Sequence, residues 1–138
     1  MAYFEWADDL VIDNGPIDQD HLKLIDLVNQ LHTATSQGRG HEVVGKIMGE
    51  LMAYTKSHFM REEHIMEMAK FPSLTRHKVL HAEFVESLQD LQHKYDHGSL
   101  TVASQLSSVM RDWLSIHIRE CDKEFSFFQK KLGAAKAS

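Results

Sequence analysis

The chain has 138 residues, 43% of them apolar and 25% charged, the size and make-up of one domain around one core. Its net charge is −5 and its basic residues are scattered rather than striped, which argues against nucleic acid as a partner. The single cysteine, Cys121, excludes an internal disulfide and a Cys-x-x-Cys redox pair. No run approaches the ~18 apolar residues of a membrane span. The acidic start MAYFEWADDL lacks the basic and apolar regions of a signal peptide. A soluble, cytoplasmic protein with no membrane insertion is expected. The ten histidines are out of line with the average and require an explanation.

Residues 1–17 hold no sustained period and contain Asn14-Gly15-Pro16, a turn signal, so an irregular N-terminal arm is expected, packed down by Phe4 and Trp6. Asp18 is the expected N-cap of a first helix reaching about Gln37, with Leu24, Ile25, Val28 and Leu31 as its apolar stripe. His21 falls on that stripe, and Gly38-Arg39-Gly40 ends the helix. A second helix runs from about His41 to Ala69, where Val44, Ile47, Leu51, Tyr54, His58, Glu62 and Ile65 follow at three- and four-residue steps. Lys70-Phe71-Pro72-Ser73 interrupts it, since the residue before a proline resists the helical region.

A third helix starts near Ser73 and ends near His97-Gly98, with Leu74, His77, His81, Phe84, Leu88, Leu91 and Tyr95 as its seam. Ser99 or Thr101 caps a fourth reaching about Lys131, with Val102, Leu106, Val109, Trp113 and His117 in line. Residues 132–138 read as a tail, and Lys130, Lys131 and Lys136 form a short basic helix end. No segment reads as strand. The expected fold is all-α: an antiparallel up-down-up-down four-helix bundle over residues 18–131, in one domain. The stripes are used up inside one bundle, which points to a monomer.

The inward positions carry His21, His58, Glu62, His77, His81 and His117, at least one from every helix, with Asp122 beside the last. One histidine on an apolar face is usually a satisfied core residue. Five from four helices are different, because each buried polar group without a partner costs ~1–3 kcal/mol. A metal ion is the natural partner. Imidazole with carboxylate and no thiolate suits iron, zinc, copper or manganese. Seven ligands are too many for one tetrahedral zinc, and they fit two six-coordinate ions that share the carboxylates. A dinuclear iron centre is the best reading of the residues, with zinc and manganese left open.

Asp122 is the weaker ligand by spacing. It lies five residues after His117, about 140° round an ideal helix, whereas Cys121 at i+4 is better placed. Asp122 is nevertheless expected, because a hard carboxylate bridges two ions; a local π-type widening would bring it in. The His93 and His97 pair reads as an ordinary helix end, and His32, His41 and His64 as solvated. Met66 and Met110 are expected to line the core.

The residues that carry chemistry fall in an ordered pattern. It runs Glu5-Trp6, Ile17-Asp18-x-x-His21-x-x-Leu24, His58-Phe59-x-x-Glu62-Glu63-x-x-Met66, Phe71-Pro72, His77-x-x-x-His81-x-x-Phe84, and Trp113-Leu114-x-x-His117-Ile118-x-x-x-Asp122. From about residue 5 to 125 this resembles the hemerythrin family, most closely its bacteriohemerythrins. The resemblance implies a non-haem di-iron site, with two iron ions joined by an oxo or hydroxo group and reversible dioxygen binding. It implies that His77, His81 and His117 hold one iron and that His21 and His58 hold the other, which keeps an open position. Glu62 and Asp122 would bridge them, and Phe59, Trp113, Leu114 and Ile118 would form an apolar wall over that position. Asp18-Gln19-Asp20 departs from the pattern, since Glu-Gln is commoner in the last two places, and Asp20 is expected to alter the surroundings of the ligands.

Dioxygen is thus the expected ligand, with an oxygen-consuming enzyme or a signalling protein as a possible recipient. The rival readings are a sensor module and a di-iron oxidase or a peroxide or nitric oxide reductase. Oxygen-activating di-iron bundles carry two Glu-x-x-His motifs, and this chain has none, so an oxygen-binding role rather than an enzyme is expected.

Overall fold

The structure, a computed structural model, describes residues 3–137, with side chains described through residue 132. Four long helical rods make up the bundle: α1 (Pro16–Ser36), α2 (Gly40–Met68), α3 (Leu74–Asp96) and a fourth rod built from α4 (Val102–His117), a π-helical turn (Ile118–Asp122) and α5 (Lys123–Ala137). The rods alternate in direction, and each packs on its sequence neighbour while the fourth closes against α1. No strand occurs among the described residues. This is the expected antiparallel four-helix bundle.

The three turns between rods share one chemistry. Each helix ends in a residue with positive φ: Gly38 at 73°, Lys70 at 57° and Gly98 at 88°. In each turn the next two amides fold back on the last helical turn: Gly38 N donates to Thr35 O and Arg39 N to Ala34 O, Lys70 N to Glu67 O and Phe71 N to Met66 O, Gly98 N to Tyr95 O and Ser99 N to Lys94 O. These are Schellman caps, which satisfy carbonyls the helix leaves open. Two use glycine, as the left-handed region favours. Lys70 does not, and an L-residue there costs about 1–2 kcal/mol. Lys70→Gly is therefore expected to stabilise the fold by about 0.5–1 kcal/mol once glycine's greater unfolded-state freedom is deducted. A denaturant midpoint below that of the wild type would contradict this.

The arm is irregular apart from a 3-10 turn at Asp8–Leu10, and it is held at several points. Phe4 N donates to Asn29 Oδ1 and Asn29 Nδ2 donates to Phe4 O, at 2.8 and 2.9 Å. Arg119 Nε donates to Asp9 Oδ2 at 2.7 Å, and Ser126 Oγ to Ile12 O at 3.0 Å. Phe4, Leu10 and Ile12 are buried, and Trp6 packs half-buried beside them. Residues 1 and 2 of the expected arm, Ser138 and the Lys136 side chain lie outside what is described.

Some local expectations are corrected. Asp18 is not the cap of α1. The helix starts at Pro16, where the missing amide hydrogen costs nothing, and Asp13 receives the amides of Gly15, Ile17 and Asp18. Asp18 instead reaches back to the amides of Ile12 and Asn14, so the two carboxylates lock the turn reciprocally. Single positions on the inward faces of α2 and α4 also differ, while Met66 and Met110 are buried as expected. Thr55 and Leu114 are buried, while Tyr54, Ile65 and Trp113 are only partly so and Val109 is exposed. His32 is half-buried, stacked on Tyr3 at 3.7 Å between ring centroids, whereas His41 and His64 are exposed. The last helix continues past Lys131 to Ala137.

Candidate metal centre

Six side chains that apolar periodicity alone would make hydrophobic, together with Asp122, meet near the α2–α3 end of the bundle. His21 comes from α1, His58 and Glu62 from α2, His77 and His81 from α3, His117 from the end of α4 and Asp122 from the π turn. All are buried, Glu62 and Asp122 completely. The core continues on both sides, with Leu24, Phe84 and Leu114 one turn further in and Ile17, Met66, Phe71 and Phe125 toward the end.

The π turn answers the spacing problem. It runs from Ile118 to Asp122, directly after His117, and adds the extra residue that an α-helix would not. Asp122 is thereby turned inward, and Cys121 is left half-buried at the surface.

The donor atoms fall into two groups. Glu62, His77, His81, His117 and Asp122 present one set of ligand atoms within 4.8 Å of one another, and His21, His58 and Glu62 another. Glu62 divides its oxygens between them. Its Oε1 is 2.5 Å from His77 Nε2 and 3.2 Å from His81 Nε2, and its Oε2 is 3.1 Å from His58 Nε2 and 3.7 Å from His21 Nε2. Asp122 divides likewise, with Oδ1 at 3.0 Å from His77 Nε2 and 3.2 Å from His117 Nε2, and Oδ2 at 3.2 Å from His21 Nε2. Together the two carboxylates thus reach three histidines on one side, His77, His81 and His117, and two on the other, His21 and His58.

Burial opposes ionisation of His21 and His77, but the carboxylates of Asp122 and Glu62 outweigh it and push both up to about 10. His58 is raised for the same kind of reason, by Asp20 and Glu62. Burial also opposes the charge of Glu62, and four surrounding imidazoles nonetheless hold it well below the usual carboxylate range. Burial and the Glu62 charge push Asp122 up, yet His117 and His21 bring it below that range. The cluster is a dense set of mutually dependent charges.

Two features fit a cation better than hydrogen bonds among the groups themselves. Glu62 Oε2 and both Asp122 oxygens are buried and close to imidazole nitrogens, yet none has a well-directed hydrogen bond. The imidazoles are also turned so that Nε2 faces the centre. His117 Nε2 is 3.1 Å from His77 Nε2 and 3.2 Å from His81 Nε2. His81 Nδ1 donates outward to Glu63 Oε2 at 2.8 Å, and His58 Nδ1 to Asp20 Oδ2 at 3.0 Å. With the outer nitrogen protonated, the inner one of a neutral ring is a lone pair, and converging lone pairs repel unless a proton or a metal lies between them.

Two of the residues expected to form an apolar wall, Phe59 and Trp113, stack on imidazoles of the three-histidine group. Phe59 lies flat on His81, with centroids 3.7 Å apart and planes 1° apart. Trp113 stacks between Phe84 at 3.9 Å and His117 at 4.2 Å. Leu114 and Ile118 are buried one turn before His117 and directly after it. Glu63 and the Asp20 partner Arg61 were not singled out by periodicity, and Tyr54 was marked only as a core position. Their role depends on contacts between helices, which spacing along one helix does not reveal.

The sequence model of the hemerythrin HHE cation binding domain matches residues 15–126. The chain belongs to the hemerythrin family. It is 35% identical to a bacteriohemerythrin of Stenotrophomonas maltophilia, over 91% of this chain and 81% of the relative. It is 33% identical to one of Methylococcus capsulatus, over 89% and 94%. A crystal structure of a hemerythrin mutant superposes with a TM-score of 0.82 at 28% identity, covering 93% of this chain and 98% of the other. A family that binds cations and a cluster able to hold a metal agree with each other. No described helix is long and apolar enough to cross a membrane.

Proposed function

We propose that this chain binds dioxygen reversibly at a non-haem di-iron centre, for oxygen carriage, storage or delivery. The observation that carries the reading is the division of Glu62 and Asp122 between a three-histidine and a two-histidine group. His77, His81 and His117 would hold one iron, His21 and His58 the other, and the two carboxylates would bridge them. A ferrous pair supplies the two electrons that reversible dioxygen binding draws on.

The chain's own residues do the rest. The position beside His21 and His58 has one imidazole fewer, which leaves room for a diatomic ligand. Phe59, Trp113, Leu114 and Ile118 form the wall that keeps water and stray protons away, so that dioxygen leaves as it came. Asp20 and Glu63 orient His58 and His81 from behind. The histidine-rich donor set, with no Glu-x-x-His motif, favours holding oxygen over cleaving it. Dioxygen is the proposed ligand, an oxygen-consuming enzyme or signalling protein the class of recipient, the cytoplasm the proposed setting and a monomer the working unit.

The test is optical. Iron-loaded protein is reduced anaerobically with dithionite, freed of reductant, exposed to air and purged with argon. A visible charge-transfer band that appears with air and disappears on purging, over several cycles, is expected. Direct passage to an oxidised spectrum that purging does not reverse would contradict reversible binding and favour an oxidase or redox role.

A further inference from the structure

Among the described residues, two of the five imidazoles have an anion behind them, and the two anions are held differently. Glu63, behind His81, is partly exposed and has no other side-chain partner among the described residues. Asp20, behind His58, is buried and accepts from four donors. Its Oδ2 receives His58 Nδ1 at 3.0 Å and Arg61 Nε at 2.9 Å. Its Oδ1 receives Arg61 Nη2 at 2.7 Å and the Tyr54 hydroxyl at 3.0 Å. Tyr54, His58 and Arg61 stand four and three residues apart on α2, so they form one stripe that Asp20 meets from α1. The Arg61 guanidinium also lies over the Tyr54 ring, 5.5 Å from its centroid.

The other histidine of the two-histidine group has no such support. His21 Nδ1 is buried without a hydrogen-bond partner. On its outer side only packing holds that ring, so of this pair only His58 has an anion behind it.

We propose that Asp20, itself clamped by Arg61 and Tyr54, is the positioning residue of the metal position formed by His58 and His21. The inference rests on the reading that the cluster holds two ions. By accepting a hydrogen bond from Nδ1–H, Asp20 fixes the tautomer that turns the Nε2 lone pair inward, and its charge makes the ring a stronger donor. Arg61 acts from the surface, its side chain 45% exposed. It ties Asp20 at both oxygens, so the carboxylate cannot swing toward water.

The test is an anaerobic ferrous titration of the full-length chain against a competing chelator. Wild-type protein is expected to show two binding steps, and His21→Ala identifies which belongs to the two-histidine position by abolishing it. Asp20→Ala is expected to weaken that same step by about 10–100-fold and to leave the other unchanged. Asp20→Asn, whose amide oxygen still accepts from Nδ1, recovers part of the loss. Arg61→Gln, which touches no ligand, weakens the same step less and keeps the test alive if Asp20→Ala fails to fold. Two wild-type steps with both unchanged in Asp20→Ala, or both weakened equally, would overturn the inference and leave the dinuclear reading intact. A wild-type chain that takes up a single ion would overturn the dinuclear reading and the inference with it.

Discussion

Glu62→Gln leaves the chain unable to retain two irons, the largest effect expected of any single substitution. Gln keeps the shape and volume of the buried side chain, so the bundle should persist. Its amide nitrogen, however, cannot ligate. Glu62 is the residue that belongs to both groups of ligand atoms, its oxygens at 2.5 and 3.2 Å from imidazoles on one side and 3.1 Å on the other. Loss of an orienting partner behind a ligand typically costs about 10–100-fold in metal affinity, and loss of a shared ligand should exceed that at both positions. Iron per chain after desalting, with circular dichroism to confirm helicity, measures it. A Glu62→Gln protein that still holds two irons would contradict the bridging role.

Removing the metal should lower stability by an amount visible in a melting curve. Five histidines and two carboxylates are buried together in the core. Without a cation, these charges are balanced only by one another and by protons. A ligand present at about a hundred times its dissociation constant stabilises the folded form by ~2.7 kcal/mol. For a domain of this size that corresponds to roughly 10 °C in the unfolding midpoint. Thermal unfolding of iron-loaded protein before and after chelation checks it. Equal midpoints would mean that the metal does not bind at the buried cluster.

The bundle was legible in the sequence because four stripes at helical spacing end in turn signals, and the turns proved to be three Schellman caps. What spacing misjudged was a few positions on two stripes, Tyr54, Ile65, Val109 and Trp113. Tyr54 and Thr55, Ile65 and Met66, Val109 and Met110, Trp113 and Leu114 are adjacent pairs in which either member can continue a three-or-four step. Tertiary packing chose the second of each. The reason is visible at Tyr54, whose ring stays at the edge so that its hydroxyl can reach Asp20. The cap of α1 was misread because Asp18 looks like an N-cap, whereas Pro16 at the first helical position is the better marker of where the helix begins.

The candidate ligands were legible for a different reason: polar residues at core positions are conspicuous. The π turn was legible as a requirement, since a carboxylate one residue out of phase cannot face inward on a regular helix, and the structure supplies the turn at Ile118–Asp122. The supports behind the ligands were less legible. Asp20 and Glu63 sit next to His21 and Glu62 in the chain but serve His58 and His81 on other helices. Neighbourhood in sequence therefore points to the wrong ligand.

The most direct measurement of the central claim is X-ray absorption at the iron edge on fully loaded protein. The geometry predicts a nitrogen- and oxygen-rich shell with several imidazoles, no sulfur scatterer from Cys121, and a metal–metal vector short enough for one carboxylate to span. A single iron environment with no metal–metal vector, or a shell containing sulfur, would contradict a centre bridged by Glu62 and Asp122.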